Sequence, residues 1–447
     1  MGTENQMVRL GELAQIKHGW AFKSDHFTDD STDKPIVVGI GNFKYEGGFR
    51  FDTTKVKRYK GDFPTDYILK EGDMLLVMTC QTPGGEILGI PGRIPGDGEC
   101  YLHNQRLGKF VNKQPEVLDD GYAYNLFQSS HFNQFLASSA SGTKILHTSP
   151  ERILQYSFEL PPLAQQKAIA HILGTLDDKI ELNRKTNETL EAMAKALFKS
   201  WFVDFDPVRA KAEGRTTGLP ADISDLFPDS FEDSELGEIP SGWRISCVND
   251  LCEWVSSGGT PSRSRKAFWE NGTIPWFKTG DLNDAPLLDS AEKINELALG
   301  NSSCKYWEAG TILFAIYASP TVGRLGLLTE SGTSNQAAAG LKAKGGIGTP
   351  FLRRTLLFSR DELQNIAVGA AQQNINVQIL KDHKVIAPDS SLATVYSKTI
   401  SPLDEQQICL AKSTRELCLL RDALLPKLIS GELRIPDAEK MLEEVGV

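Results

Sequence analysis

The sequence has none of the motifs that would equip it for catalysis. It contains no G-x-x-x-x-G-K-[ST] loop for nucleotide phosphates, and its seven histidines include neither a pair at i, i+4 nor an H-E-x-x-H. It also lacks the Asn-Pro-Pro-Tyr or Asp-Pro-Pro-Tyr tetrapeptide with which amino-methyltransferases hold a flipped base. The acidic pairs Asp177-Asp178 and Asp204/Asp206 are more typical of solvated helix faces than of metal sites. We therefore expect a protein that is not an enzyme.

Cysteine and long apolar runs are also scarce. The seven cysteines show no Cys-x-x-Cys spacing, which indicates reduced thiols rather than a disulfide framework or a zinc site. The longest apolar run, Thr311 to Ala318, is far too short to cross a bilayer. The first residues, Met1 to Gln6, have neither the basic start nor the apolar stretch of a secretory signal. These absences predict a cytoplasmic protein without a membrane span or a metal centre.

Positive charge is outnumbered, which at first argues against nucleic-acid binding. The chain has 48 Lys and Arg against 58 Asp and Glu, a formal net charge of -10, whereas DNA affinity depends on neutralising phosphates. The imbalance is local, however, because residues 222–238 hold seven acids and no Lys or Arg. Residues 251–388 hold 14 basic and 12 acidic residues, a net of +2. The distribution therefore permits DNA binding without proving it.

The chain contains an internal repeat. Tyr67–Asp73 leads into the apolar run Met74–Met78, and Lys305–Thr311 leads into Ile312–Ala315. Each run continues through a turn into a second apolar stretch, which is typical of strand, turn and strand. The two copies are offset by 238 at their glycines (310 − 72) and by 231 at a later Asn-Gln pair (335 − 104). The shift between these offsets predicts a shorter loop in the second copy.

Each copy ends in a long helical pattern. The first pattern should begin near Pro161-Pro162, because proline fits the first turn of a helix. Its apolar residues follow a spacing of four and three, and the same seam recurs 227 residues later with polar residues at its centre. We expect Pro402 to kink or interrupt the second helix. The predicted seam consists of Ile169, Leu173, Leu176, Ile180, Leu190, Leu197, Trp201, Leu403, Leu410, Leu417, Leu424 and Leu428.

Two matching seams favour pairing of the helices with each other, although each could instead lie on its own domain as an amphipathic helix. Antiparallel pairing would relate the two halves by a pseudo-twofold axis, so that one chain would mimic a symmetric dimer. A helix over 161–202 would be about 60 Å long. Such a pair could separate two globular domains.

Polar and aromatic side chains in loops are the remaining candidates for function. Asn and Gln can bond an adenine edge, Arg can bond guanine, and Lys or a hydroxyl can fix a phosphate. Ordinary loop solvation or turn capping is the alternative for each residue, and the matched Asn-Gln pairs could also anchor a strand. The DNA-binding candidates are Gln81, Thr82, Asn104, Gln105, Arg106, Lys144, His147, Lys278, Thr279, Tyr317, Ser319, Asn335, Gln336, Gln372, Gln373 and Asn374.

Three stretches resemble type I restriction-modification specificity subunits, and the resemblance spans essentially the whole chain. The first is Leu160-Pro161-Pro162-Leu163-Ala164-Gln165-Gln166-Lys167 with the helix after it. The second is Gly258-Gly259-Thr260-Pro261-Ser262 followed by Phe268-Trp269 and Ile274-Pro275-Trp276. The third is Ala423-Leu424-Leu425-Pro426-Lys427-Leu428 followed by Ser430-Gly431-Glu432.

The resemblance implies a mixed α+β chain with two α/β target-recognition domains, whose curved sheets are joined by two long helices in an antiparallel coiled coil. We accordingly expect recognition domains at 1–158 and 241–388, and conserved helical regions at 159–210 and 389–447. The acidic segment 211–240 departs from the family pattern. We interpret it as an extended linker, with a surface that contacts a methyltransferase subunit as the alternative.

The resemblance also implies double-stranded DNA as the ligand, read as a bipartite asymmetric target. The implied partners are two methyltransferase subunits that use S-adenosylmethionine, and optional restriction subunits that use ATP and Mg²⁺. No cofactor is expected in this chain. A fused restriction and methylation enzyme and a scaffold that binds only proteins are the competing interpretations, of which the first is disfavoured because no motor, nuclease or methyltransferase motif is present.

Overall fold

The computed structural model describes residues 6–29, 33–44, 49, 56–317, 321–368, 375–444 and 446 of the chain. The chain folds into two compact units. The first contains Met1–Ile180 together with Glu416–Val447, and the second contains Glu181–Arg415. Each unit has its own large hydrophobic core and includes part of both long helices.

The first unit starts with short strands and helices. They are, in chain order, β1 (Gln6–Arg9), α1 (Leu10–Leu13), β2 (Ala14–His18), β3 (Phe27–Thr28), β4 (Ile36–Val37), β5 (Arg58–Tyr59), β6 (Ile68–Leu69), β7 (Met74–Val77), β8 (Thr79–Cys80), β9 (Pro91–Arg93), β10 (Tyr101–Leu102), β11 (Leu107–Asn112), α2 (Asp120–Gln128), α3 (Ser130–Ala137), β12 (Leu146–His147), α4 (Pro150–Leu154) and β13 (Ser157–Leu160). One sheet has the order β2-β11-β7-β9, and another has the order β3-β5-β4-β10-β6.

The rest of the chain carries the first long helix, the second repeat and the second long helix. Its elements are α5 (Leu163–Phe202), α6 (Asp206–Ala212), α7 (Ala221–Ser224), β14 (Phe231–Ser234), β15 (Gly237–Pro240), β16 (Arg244–Cys247), α8 (Val248–Leu251), β17 (Cys252–Ser257), β18 (Ile274–Phe277), β19 (Pro286–Leu287), β20 (Lys293–Ile294), α9 (Glu296–Gly300), β21 (Ile312–Ala315), β22 (Leu325–Leu328), β23 (Thr333–Ser334), β24 (Ala338–Ala343), α10 (Thr349–Phe358), α11 (Arg360–Val368), α12 (Val377–Asp382), β25 (Lys384–Ala387), α13 (Ser390–Ile429) and α14 (Ile435–Glu444).

The two repeats share one topology. The order β2-β11-β7-β9 recurs as β17-β24-β21-β22, and the parallel pair β4–β10 recurs as β18–β23. In each repeat the first strand pairs with the last, as β1 with β13 and β16 with β25. Strands β7 and β21 start 238 residues apart (312 − 74), β11 and β24 start 231 apart (338 − 107), and α5 and α13 start 227 apart (390 − 163). The mixed α+β fold class is therefore confirmed, with two repeated domains and two long helices.

The long helices pair antiparallel in the second unit. Asn183 Nδ2 donates to Ser413 Oγ at 3.3 Å, Gln407 Nε2 donates to the Asn187 carbonyl at 3.3 Å, and Tyr396 Oη donates to the Ala194 carbonyl at 3.0 Å. Residue numbers rise along α5 while they fall along α13, as antiparallel packing requires. The polar residues at the seam centre thus bond across the helix pair.

Apolar contacts continue the pairing in the first unit, where Leu173 and Leu176 share a core with Leu417 and Leu424. Arg421 Nη1 also donates to Asp177 Oδ1 at 2.9 Å. Of the seam residues, Ile169, Leu173, Leu176, Leu190, Trp201, Leu417, Leu424 and Leu428 are buried, and Ile180, Leu197, Leu403 and Leu410 are half-buried.

The acidic segment 211–240 is folded, where we expected an extended linker. It contains α7 and the antiparallel hairpin β14–β15, and Phe227 is buried in the second core with its ring edge against Trp201 at 5.3 Å. The Lys211 ammonium donates to the Phe227 carbonyl at 2.5 Å. Apolar side chains placed between the acids give the segment enough burial to fold.

The expected break at Pro402 is wrong, because α13 runs unbroken through that residue for 40 residues. Proline removes one donor from the helix ladder. Packing on both sides compensates for this loss, since Ile400 belongs to the second core and Asp404 is held by an ion pair with Arg354.

Candidate nucleic-acid interface

A parallel strand pair orders the polar residues of each repeat. In the first repeat Val37 of β4 lies opposite Leu102 of β10, and in the second Phe277 of β18 lies opposite Ser334 of β23. Because parallel strands end at the same edge of a sheet, the loops after them emerge together. These loops contain Asn104-Gln105-Arg106 in one repeat, and Lys278-Thr279 with Asn335-Gln336 in the other.

A short capped turn follows the first strand of each pair. Residues Ile40–Asn42 form a 3-10 turn in which the Asn42 side chain accepts from the Gly39 N–H at 2.8 Å. Residues Thr279–Asp281 form the same turn, with Asp281 accepting from the Lys278 N–H at 2.8 Å. Sequence reasoning named Lys278 and Thr279 but missed their counterparts at 39–42. A sequence signal for this turn is present in both repeats. An apolar run is followed by Gly39 or Lys278, and an Asn or Asp lies three residues later, at Asn42 or Asp281.

The matched asparagines hold the second loop in both repeats. Asn104 Oδ1 accepts from the Arg106 N–H at 3.0 Å, and Asn335 Oδ1 accepts from the Ala337 N–H at 3.2 Å. Such Asx turns fix the backbone two residues downstream. The asparagine oxygens therefore anchor the approach to the next strand, and the residue after each asparagine is presented from a fixed loop.

A third segment, which sequence reasoning missed in the first repeat, approaches each asparagine. A Cβ atom added at Gly19 would lie 2.1 Å from the Asn104 carbonyl oxygen, and one at Gly258 would lie 2.4 Å from the Asn335 carbonyl oxygen. Only glycine allows this approach. The neighbouring backbone then bonds, with Trp20 N donating to the His103 carbonyl at 2.9 Å and Gly259 N to the Ser334 carbonyl at 2.9 Å.

In the first repeat these loops line a cleft of about 620 Å³. Gln105 lines it, and its Oε1 is buried with no hydrogen-bond partner among the described residues. Arg106 and Lys57 contribute cationic side chains to the lining, and Phe22 contributes an aromatic one. A buried acceptor without a partner is costly unless a ligand satisfies it. The cleft therefore presents an amide and two cations to whatever binds there.

A second cluster in the first repeat is joined to this cleft. Strands β8 and β12 pair, with Thr79 opposite His147 and the hydroxyl of Thr79 3.1 Å from His147 Nδ1. This pairing brings Lys144 and His147 near Gln81 and Thr82. The Met78 N–H donates to the Arg106 carbonyl at 2.9 Å, and the Met78 carbonyl accepts from Thr148 at 3.0 Å.

Not all members of the second cluster are free to contact a ligand. Gln81, Lys144 and His147 are exposed, whereas the Thr82 hydroxyl donates to Glu86. That hydrogen bond lowers the pKa of Glu86. The second cluster thus retains three exposed polar side chains, of which His147 is already bonded through Nδ1 to Thr79.

The cations of the second repeat are paired internally. Glu292 accepts from Lys278 Nζ at 2.6 Å and from Arg263, and these two bonds, that of Arg263 first, hold the pKa of Glu292 below its usual value. The Arg263 guanidinium also lies over Trp269 at 3.9 Å and over Trp276 at 4.8 Å. Both cations are therefore fixed in place, and a phosphate would have to compete with Glu292.

The remaining candidates of the second repeat are divided. Gln336 is exposed and accepts from the Thr260 hydroxyl, and Tyr317 is exposed. Ser319, Gln372, Gln373 and Asn374 lie outside the described residues. Among the residues that the structure describes, no His, Cys, Asp and Glu side chains gather as a metal site, and no helix is long and apolar enough to cross a bilayer.

Comparisons with known proteins agree on one family. The model of the type I restriction modification DNA specificity domain matches residues 3–192 and 240–417. The HindI specificity subunit of Haemophilus influenzae is 27% identical over a 351-residue alignment that covers 68% of this chain and 75% of that protein. The MjaIX specificity subunit of Methanocaldococcus jannaschii is 26% identical over 336 residues, which is 75% of this chain and 73% of that protein.

A solved structure has the same fold. The crystal structure of a type I restriction-modification S subunit from M. genitalium aligns over 95% of both chains, with a TM-score of 0.58 and 15% identity. At that identity the likeness concerns the fold alone.

Proposed function

Because this chain belongs to the type I restriction-modification DNA specificity family, we propose that each of its two repeats reads one half of a bipartite double-stranded DNA target. The chain itself is proposed to be non-catalytic and to carry no cofactor. Two methyltransferase subunits that use S-adenosylmethionine would dock on it, and restriction subunits that use ATP and Mg²⁺ could join them.

One observation carries this proposal. In each repeat a capped turn and an Asn-anchored loop emerge side by side from a parallel strand pair, with Gln105 or Gln336 next to the anchoring asparagine. A glutamine amide on a fixed loop can bond an adenine edge bidentately, and neighbouring Arg or Lys can bond guanine or phosphate. Two such surfaces in one chain suit a target with two parts.

The paired helices support the scaffolding part of the proposal. Within each unit the paired long helices share a core with the strands of that unit's repeat, and half-site spacing in DNA readers follows from the geometry between reading modules. We therefore propose that the helices set the gap between the half-sites.

Exchange of one recognition domain tests the proposal. Residues 240–388 are replaced by the equivalent segment of a relative with a different target, and residues 1–158 are replaced in the matched control. The methylome of cells that carry the system should show one changed half-site in each exchange, and the other half-site should be retained. A change in both half-sites after either exchange would contradict independent reading.

A scaffold that binds only proteins is the alternative. It would retain methyltransferase subunits in a pull-down but would give no sequence-dependent mobility shift with DNA. An enzyme of the fused kind would bind S-adenosylmethionine in isothermal titration of the isolated chain, for which we expect no binding.

A further inference from the structure

A buried ionic cluster connects the second recognition domain to the helix pair. Arg354 of α10 is 0% exposed. Its Nη1 and Nη2 atoms donate to the two carboxylate oxygens of Asp404 on α13 at 2.7 and 2.6 Å, and Nη2 also reaches Glu191 of α5 at 3.0 Å. The Arg354 guanidinium of the recognition domain thus forms hydrogen bonds with both long helices within the second unit.

The cluster is incompletely bonded, although Lys195 Nζ also lies 3.8 Å from Glu191 Oε1. Arg353, which is 2% exposed, lies 3.4 Å from Glu191 and 3.5 Å from Asp404. Two arginines therefore face two carboxylates. Yet Arg354 Nε, Arg353 Nη1 and Glu191 Oε1 are buried without hydrogen-bond partners among the described residues. Since well-packed apolar residues often stabilise a protein as much as a buried ion cluster does, stability alone does not account for it.

In the first repeat the aspartate at the equivalent position has a different partner. Asp404 corresponds to Asp177 at the helix offset of 227 (404 − 177). Asp177 is bonded by Arg421 of α13 at 2.9 Å, so its partner comes from the other long helix. Helix α2, which corresponds to α10, has the sequence DGYAYNLFQ without Lys or Arg. Each repeat has an aspartate at this position, but only the second recognition domain supplies its arginine.

We propose that Arg354 is a positioning residue that fixes the orientation of the second recognition domain on the helix pair. The planar two-point contact with Asp404 has one geometry, because a guanidinium bonds a carboxylate side by side. A rotation of the domain about the helices would break both bonds and leave buried charges unpaired. The consequence for DNA binding rests on the proposed function. Arg354 would narrow the range of gaps between the two half-sites that the protein accepts.

The test uses a variant in which all four charges are replaced by apolar residues, with Arg353→Met, Arg354→Met, Glu191→Met and Asp404→Leu. The matched control is Asp177→Leu with Arg421→Met, which removes the corresponding ion pair of the first unit without touching a recognition domain. Each chain is purified with its methyltransferase subunits. Binding is measured to duplexes that carry both half-sites at the native gap, one base pair shorter and one base pair longer.

We expect the four-charge variant to keep its melting temperature and both half-sites, while its preference for the native gap falls by about tenfold, or one decade in Kd. The control should keep the full preference. Arg354→Lys provides a second variant that keeps the charge but loses the two-point contact, and it should also accept altered gaps.

An unchanged gap preference in both the four-charge variant and Arg354→Lys would overturn the inference, as would an equal loss in the control. If the four-charge variant does not fold, Arg354→Lys alone decides between the two outcomes. Failure of the proposed function would look different, because the wild-type complex itself would then show no half-site or gap preference.

Discussion

The buried histidine that precedes the Asn104 loop gives the protein a predictable response to acid. His103 is 3% exposed, and its Nε2 lies 2.8 Å from the Leu107 carbonyl oxygen. Because a carbonyl only accepts, the ring nitrogen donates. Burial lowers the pKa of His103 to about 4. The ring is therefore neutral in the folded protein at neutral pH.

The sign and the size of the effect follow from linkage. Between pH 6.5 and about 4 the unfolded chain binds a proton on His103 and the folded chain does not, so the free energy of unfolding falls as the pH falls. With an unfolded pKa of about 6.5, acidification from pH 7 to pH 5 should cost the first unit about 2 kcal/mol through this residue.

His103→Gln is the matched variant, because glutamine can still donate to the Leu107 carbonyl but does not titrate. Both proteins are equilibrated in urea at pH 7, 6 and 5, and unfolding of β10 and β11 is followed by a hydrogen-exchange pulse at one fixed pH. The wild type should lose about 2 kcal/mol more than the variant between pH 7 and pH 5. An equal loss in the two proteins would refute the assignment of a low pKa to His103.

Three further predictions concern the helix seam and the loops that contain Asn104 and Asn335. Leu173→Asp or Leu417→Asp should lower the free energy of unfolding by about 4 kcal/mol or prevent folding, because each buries an unpaired charge. The controls are Leu182→Asp and Leu419→Asp, at positions that are 57% and 62% exposed on the same helices. The controls should leave the melting temperature and co-purification with methyltransferase subunits unchanged. Asn104→Ala and Asn335→Ala should each cost about 1 kcal/mol of stability through the lost Asx bond, and the methylome should weaken at one half-site only, a different one for each variant. Gln105→Ala should not lower the melting temperature, since Oε1 has no partner among the described residues. It should relax discrimination at one base pair by about 1–3 kcal/mol in competition binding; retained discrimination would exclude Gln105 from base reading.

Features determined by local sequence pattern were predictable. The repeat offsets of 238, 231 and 227 found in the sequence return as the offsets between β7 and β21, β11 and β24, and α5 and α13. The start of α5 at Leu163 follows the predicted Pro161-Pro162. These features depend on apolar periodicity and on proline, which act within a few residues.

Features determined by long-range packing were not predictable. The fold of residues 211–240 depends on the contact of Phe227 with Trp201, and the continuity of α13 through Pro402 depends on packing around Asp404. The same holds for the site. The positions of Gly19 and of the turn at 39–42 depend on the pairing of β4 with β10, which joins residues 65 apart in the sequence (101 − 36). No local sequence pattern predicts that pairing.

Several cations near the candidate DNA-binding loops are paired with carboxylates, which affects how this chain would recognise DNA. The cations Arg263 and Lys278 of the second repeat share Glu292, and Arg58 in the first repeat pairs with Glu99 at 2.9 Å. On the proposed function, carboxylate pairing of these cations would weaken their attraction to phosphates and so lower the affinity for non-target DNA. On the proposed function, selectivity would then come from fixed amides such as Gln105 and from the geometry of the two domains.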